Sequence, residues 1–314
     1  MNAQPSFLPW LALAGLADWL LGRTLARLAI FMPKSPTVLA AYQGLVTFGQ
    51  VAGSLCAILA LSGMGWLAWQ ARRQGRGLPS LALAGLALAN LAFLLAPPGG
   101  WLPVGFQALY GTVVVWLLWE TWRSQPSLPA RLVALLPGLA LLAGELYLAC
   151  QSLYAALGRA GPAPAALWLF NLGEGLVLLS PLAFFRSSSR APTGRAWAWA
   201  LAPVLAFAAF YLLNPSLAGI LAIWSAGLTL YLPWPAYALS LWLAGAGFLA
   251  LRQERPPAAW AVPLLAAGGY APLLGTQAFL GLIALWLLAQ PAAPPAEIFT
   301  PSSARINLRW LFDG

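Results

Sequence analysis

Histidine is missing from this chain altogether, and charge is scarce: Asp, Glu, Lys and Arg together fill only 7% of its 314 positions. A soluble domain charges about a quarter of its residues, because its surface has to be solvated by water. This chain has too little charge for such a coat, whereas lipid tails require none. Without histidine there is no imidazole ligation of haem, no His-based zinc site and no Ser-His triad. Its seven acids never gather into the Asp-rich cluster that holds magnesium, and Gly-rich phosphate loops are absent. No cofactor or metal is therefore expected, and the composition leans away from an enzyme, leaving only carboxylate chemistry. Cysteine is nearly absent as well. Cys56 and Cys150 both lie inside apolar runs and read as small buried hydrophobes, with a disulfide left open.

What is present is hydrophobic: 61% of the residues, largely in long Leu/Ala runs. In hydrocarbon every backbone N–H and C=O must be satisfied within the protein, so only helices or closed barrels can cross. The runs lack the period-two alternation of barrel strands, so an all-α, polytopic membrane bundle is expected. About twenty apolar residues cross the core. Arg clusters and Pro/Gly breaks then divide residues 1–290 into about ten segments: 7–31, 38–70, 80–96, 102–122, 130–157, 164–185, 196–213, 216–232, 236–252 and 259–289. Roughly eight to ten of these are true spans, the division around Pro233-Trp234-Pro235 being open. Gly268-Gly269, Pro272 and Gly275 are expected to bend the last segment. The first run is read as a retained span and not a cleaved signal. Residues 291–314 form a Pro/Ala-rich spacer and a short tail, disordered or docked on a partner.

The net charge of +9 comes from arginines in short clusters between apolar runs. That arrangement reads as topology signals and lipid-headgroup contacts, not as a nucleic-acid surface. Arg72, Arg73 and Arg76, then Arg123 and Arg131, then Arg186, Arg190 and Arg195 recur after every second span, which places these loops and the N-terminus in the cytoplasm. Arg23, Arg27 and Lys34 oppose that scheme unless the first helix lies partly at the interface. Trp and Tyr near run ends, among them Trp10, Trp69, Trp101, Trp119 and Trp122, suit interfacial belts, while others pack between helices.

An ionisable group at the bilayer centre costs at least ~2.5–3.5 kcal/mol, so each one there needs a reason. Glu145, Glu174 and Asp18 are the acids nearest span centres, whereas Glu120 and Glu254 sit beside arginines at span ends. Asn171 and Glu174 are three apart on one helix face, flanked by Gly173 and Gly175, which permit close helix approach. Ser152 shares the face of Glu145, while Tyr147, Gln151 and Tyr154 form a second polar stripe. If the spans 130–157 and 164–185 pack antiparallel, Glu145 and Glu174 lie at similar depth and could share a proton or a cation. Gly49 and Gly53 form a GxxxG spacing suited to helix packing. Stretches starting at Leu8 and Leu136 each set a carboxylate, Asp18 or Glu145, after a Leu-Pro start, as a repeated unit would.

Two short stretches carry resemblances. The run Leu11 to Gln43, with Gly22-Arg23 and Ser35-Pro36-Thr37, resembles the drug/metabolite transporter superfamily, which implies ten spans and a cytoplasmic N-terminus; that family's paired repeat motifs are lacking. Pro97-Pro98-Gly99-Gly100-Trp101 with Leu109-Tyr110 and Trp119 is similar to the Trp-rich sensory protein family, whose further Trp positions and five-span length are not matched. The expectation is a transporter or permease of the cytoplasmic (inner) membrane, proton- or cation-coupled through Glu174, Asn171, Glu145, Asp18 and Gln151. The alternative is a cofactor-free subunit of a respiratory or photosynthetic complex, acting as scaffold or as a quinone or lipid pocket. Expected partners are membrane lipids, with a homodimer or other membrane subunits possible, and no nucleic acid.

Overall fold

The computed structural model describes residues 6–19, 35–95, 100–125 and 127–159, and then residues 166, 169, 172–173, 176–177, 179–186, 245, 247–249, 251–252, 256–269 and 276–290. Among these residues every element is helical. In chain order they are α1 (Leu8–Ala17), α2 (Pro36–Arg73), α3 (Gly77–Leu95), α4 (Leu102–Ser124), α5 (Leu128–Ala156), α6 (Pro181–Arg186), α7 (Pro256–Ala259), α8 (Ala261–Leu264) and α9 (Thr276–Ala289). α2, α4 and α5 are long and apolar enough to cross a membrane, and four shorter apolar helices accompany them. The segments 196–213 and 216–232, the Pro233–Pro235 break and residues 291–314 lie outside the described residues.

Local chemistry sets the helix ends. Ser35 accepts a hydrogen bond from Val38 N at 3.2 Å, and Pro36 follows at the first helical position, so α2 starts where a capping Ser-Pro pair says it should. Gly75, at φ +75°, turns the chain out of α2, and Gly158, at φ +70°, ends α5 in the same left-handed way. Short connections make α2–α3 and α4–α5 antiparallel hairpins. Ser80 Oγ donates to Ala68 O at 2.8 Å across the first of them. In the second, a Cβ on Gly138 would meet Leu118, while Gln107 lies level with Leu148; α4 descends as α5 rises.

α2 shows which way its faces point. Ala52, Cys56, Ala60, Gly63, Met64 and Leu67 are buried, and Phe48, Val51, Leu55 and Ile58 stand outward. Over Gly49–Ala60 small residues face in and large apolar ones face out, an arrangement that water penalises and hydrocarbon accepts. Small inward residues let backbones approach closely: a Cβ on Gly15 of α1 would lie 3.0 Å from Ala267 Cβ and 3.7 Å from Cys56 Sγ. Neither cysteine is in a disulfide; Cys56 is buried and Cys150 half-buried.

α9 is the central helix among the described residues. Ala278 to Ala289 is buried on every side, packed chiefly by α2, Leu265–Gly269, α8 and α4, as an all-round apolar helix must be. The expected single segment 259–289 is subdivided. The chain turns at Trp260, passes through α8 and a π-helical turn at Leu265–Gly269, and is described again from α9. The Gly268-Gly269 pair lies in that wider turn, while Pro272 and Gly275 lie outside the described residues. The stretches at Leu8 and Leu136 differ in setting, because Pro9 is in the first turn of α1 whereas Pro137 lies inside α5.

Candidate functional site

Glu145 sits on α5 roughly 26 Å from the helix start and roughly 17 Å from its end, at 1.5 Å per residue. It is 3% exposed, and its Oε2 has no hydrogen-bond partner among the described residues. Leaving one polar oxygen of a buried acid unsatisfied costs about 1–3 kcal/mol, so the position is under strain that packing alone does not relieve. Its surroundings come from α4. Tyr110, completely buried, is an electrostatic neighbour of the Glu145 carboxylate and donates its hydroxyl to Ala278 O of α9. One turn earlier, Gln107 is 2% exposed. In the amide orientation that satisfies its neighbours, Gln107 donates to Ser152 Oγ at 3.1 Å and to Leu148 O at 3.3 Å.

The helical period explains this convergence. Gln107 and Tyr110 are three apart on α4, and Glu145, Leu148 and Ser152 recur at three and four on α5, so two polar stripes meet in one antiparallel seam. α9 closes it with a backbone carbonyl. The seam offers a carboxylate, a phenol, an amide and a hydroxyl between two long apolar helices. Such a set can bind a proton, a small cation or the polar end of a ligand. Among the described residues no group of three or more Cys, Asp or Glu comes together to hold a metal ion.

The other expected site residues fall in different places. Asp18 is 6% exposed and follows α1 in a π-helical turn with Trp19, its carboxylate set against α2: a Cβ on Gly53 would lie 3.2 Å from Asp18 Oδ1. Gly49, one turn before Gly53, is buried on the same helix. Asp18 thus packs on α2, whereas the Glu145 seam is made by α4 and α5. Gln151 is half-buried, about 120° around α5 from Glu145, and takes no part in the Gln107–Ser152 contact. Gly173 lies close against α5, with an added Cβ 3.6 Å from Ala143 Cβ and 3.8 Å from Gly144 N, one residue from Glu145. Asn171, Glu174 and Gly175 lie outside the described residues.

Glu120 forms an ion pair with Arg76 at 2.9 Å, tying the turn after α2 to the end of α4. Trp66 and Trp260 pack between helices, edge-on to Phe7 and Phe248 at 5.9 and 5.6 Å. Trp69, Trp119 and Trp122 instead carry arginines over their faces. Tyr110 and Gln107 are not among the residues that the sequence singles out for this site. Their spacing of three, matched to the Glu145 stripe, was the available signal. Asn90, 1% exposed with Nδ2 unpartnered among the described residues, is a further buried amide on α3.

No family model, no curated protein and no solved structure matches this chain, so neither partial resemblance extends to a family.

Proposed function

We propose that this chain is a multi-pass transporter or permease of the cytoplasmic membrane, with a proton- or cation-coupling site at Glu145. The observation that carries the reading is the Glu145 carboxylate, buried on a bilayer-length helix with one oxygen unpartnered among the described residues and Tyr110 of α4 as its electrostatic neighbour. A carboxyl group kept at such a cost, midway along an apolar helix, is characteristic of a relay or coupling site. Glu174 and Asn171 are proposed to complete it. Gly173, their neighbour in sequence, packs on Ala143 and Gly144 beside Glu145.

Topology supports the same picture. Among the described residues Arg72, Arg73, Arg76, Arg123 and Arg131 gather at one end of the α2–α5 bundle and Arg159 stands at the other. By charge bias the crowded end is cytoplasmic. α1 begins there, with Phe7 against Gly63 and Trp66, and α9 finishes there, with Trp286 against Trp116. A chain that starts and ends its helical domain on one side crosses an even number of times. This fits roughly eight or ten spans with a cytoplasmic N-terminus.

A second reading, a cofactor-free subunit with a lipid or quinone pocket, is favoured by one observation. A cavity of about 360 Å³ lies between α1 and α8, lined by Leu13, Leu16, Phe248, Trp260, Val262 and Pro263, and is almost wholly apolar. A single-cysteine experiment separates the two. In a Cys56→Ala, Cys150→Ser background, Glu145→Cys is treated with a membrane-impermeant methanethiosulfonate in proteoliposomes. A transport pathway opens this position to water from one face, and modification follows. Complete protection from both faces, together with co-purification of stoichiometric partner subunits, would sink the transporter reading.

A further inference from the structure

At the arginine-rich end, the turn after α2, the end of α4 and the end of α9 enclose a cavity of about 660 Å³. Its rim is polar, with Gln74, Arg76, Arg123 and Gln290, while Leu117 and Trp286 supply apolar wall. Arg76 is held in place twice: Nη2 donates to Glu120 Oε2 at 2.9 Å, and its guanidinium carbon stands 5.6 Å from the centre of the Trp116 ring. A guanidinium has five N–H donors, so the Glu120 contact fixes the fork and leaves donors for a second anion. Arg123 is exposed beside it, over Trp119 at 5.8 Å. Outside the rim, Arg73 lies 3.8 Å over Trp69 and Arg131 5.1 Å over Trp122, and each stack keeps a cation at the level of an aromatic belt. Glu120 is the one carboxylate among the described residues lining this cavity, and the arginines around it outnumber it. The local field is positive.

The geometry points to a binding site for the phosphate group of an anionic phospholipid, held by Arg76 and Arg123 at the mouth of this cavity. Phosphate is the chemistry recognised, and paired guanidinium forks suit it better than ammonium groups do. The lipid is taken as its source because Arg73 over Trp69 and Arg131 over Trp122 set this end of α2, α4 and α5 at the level of a membrane's headgroups. Basic pockets between helices on the cytoplasmic side take lipid headgroups for these reasons. The inference rests on the membrane placement of α2, α4 and α5 and is independent of whether anything is transported.

Native mass spectrometry of the full chain released from detergent tests it, with dioleoyl phosphatidylglycerol, dioleoyl phosphatidylcholine and inorganic phosphate as separate probes. Phosphatidylglycerol is expected to be retained in preference to phosphatidylcholine and to resist displacement by millimolar inorganic phosphate. Arg123→Gln, an exposed change that leaves the melting temperature in place, should lower that preference about fivefold, the effect of one arginine near a membrane surface. Arg159→Gln, at the opposite end of the bundle, should leave it unchanged. Equal retention of the two lipids, or the same loss in both variants, overturns the proposal. Displacement of the lipid by inorganic phosphate overturns its assignment to a lipid.

Discussion

Gly53 and Gly65 both lie on α2, yet a methyl group added to each would meet opposite surroundings. At Gly53 it would lie 3.2 Å from Asp18 Oδ1, against a buried carboxylate in a turn, while at Gly65 nothing stands within 4 Å. Overfilling a close-packed contact costs about 1–3 kcal/mol. Gly53→Ala should therefore lower the thermal midpoint in detergent by several degrees, and Gly65→Ala should leave it unchanged or slightly raised. Equal midpoints for the two variants would mean that Asp18 does not pack on α2 as described. Glu145 makes a different residue-scale argument. A group kept only for packing destabilises when removed, whereas one kept for chemistry, with an unpartnered oxygen, relieves a cost of about 1–3 kcal/mol. Glu145→Gln and Glu145→Leu should thus retain or raise the melting temperature, the first while losing coupled uptake in proteoliposomes. A large fall in both midpoints would make the carboxyl a structural tie to Tyr110 or Gln107.

At the scale of elements, α2 spans 38 residues, roughly 57 Å at 1.5 Å per residue, which is longer than the ~30 Å hydrocarbon core. Its outward face at Val51, Leu55 and Ile58 should lie in lipid, while its end at Arg72 and Arg73 reaches water. Nitroxide labels at Val51, Leu55 and Ile58 are expected to be accessible to oxygen and shielded from a water-soluble nickel chelate; a label at Gln74 should show the reverse. Nickel accessibility at all four positions would place that face in water. Helix boundaries were the legible part of the fold. Segments expected at 38–70, 80–96, 102–122 and 130–157 appear as Pro36–Arg73, Gly77–Leu95, Leu102–Ser124 and Leu128–Ala156, because Ser-Pro, Gly and Arg punctuation acts locally. The central position of α9 was not legible. Hydropathy reads a lipid-facing leucine and a protein-buried one alike, so Ala278–Ala289 looked like any other span. The site was legible by halves for a related reason: periodicity joined Ser152 to the Glu145 face, but the pairing of α4 with α5 that delivers Gln107 and Tyr110 is tertiary and leaves no mark on either run alone.

For the whole molecule the decisive quantity is the asymmetry of arginine between the two ends. Arg76 and Glu120 join the turn after α2 to the end of α4, and Arg131 Nε donates to Gln125 O at 3.0 Å at the start of α5, so both hairpins present arginines on one side. Among the described residues the other side has Trp101 and Arg159, with Gly100 turning at φ +60°. The proposed orientation follows the positive-inside bias, which sets the basic end in the cytoplasm beside the phosphates of that leaflet. Two exposed positions report on this without disturbing the core: Ser127, in the turn before α5, and Leu157, just beyond its end. In the Cys56→Ala, Cys150→Ser background, Leu157→Cys should react with an impermeant maleimide on intact spheroplasts, and Ser127→Cys only after the membrane is opened. The reverse pattern would invert the orientation and move the arginine-lined cavity to the outer leaflet. Reaction of both on intact spheroplasts would show that α5 does not cross, which removes the low-dielectric setting on which the proposed role of Glu145 depends.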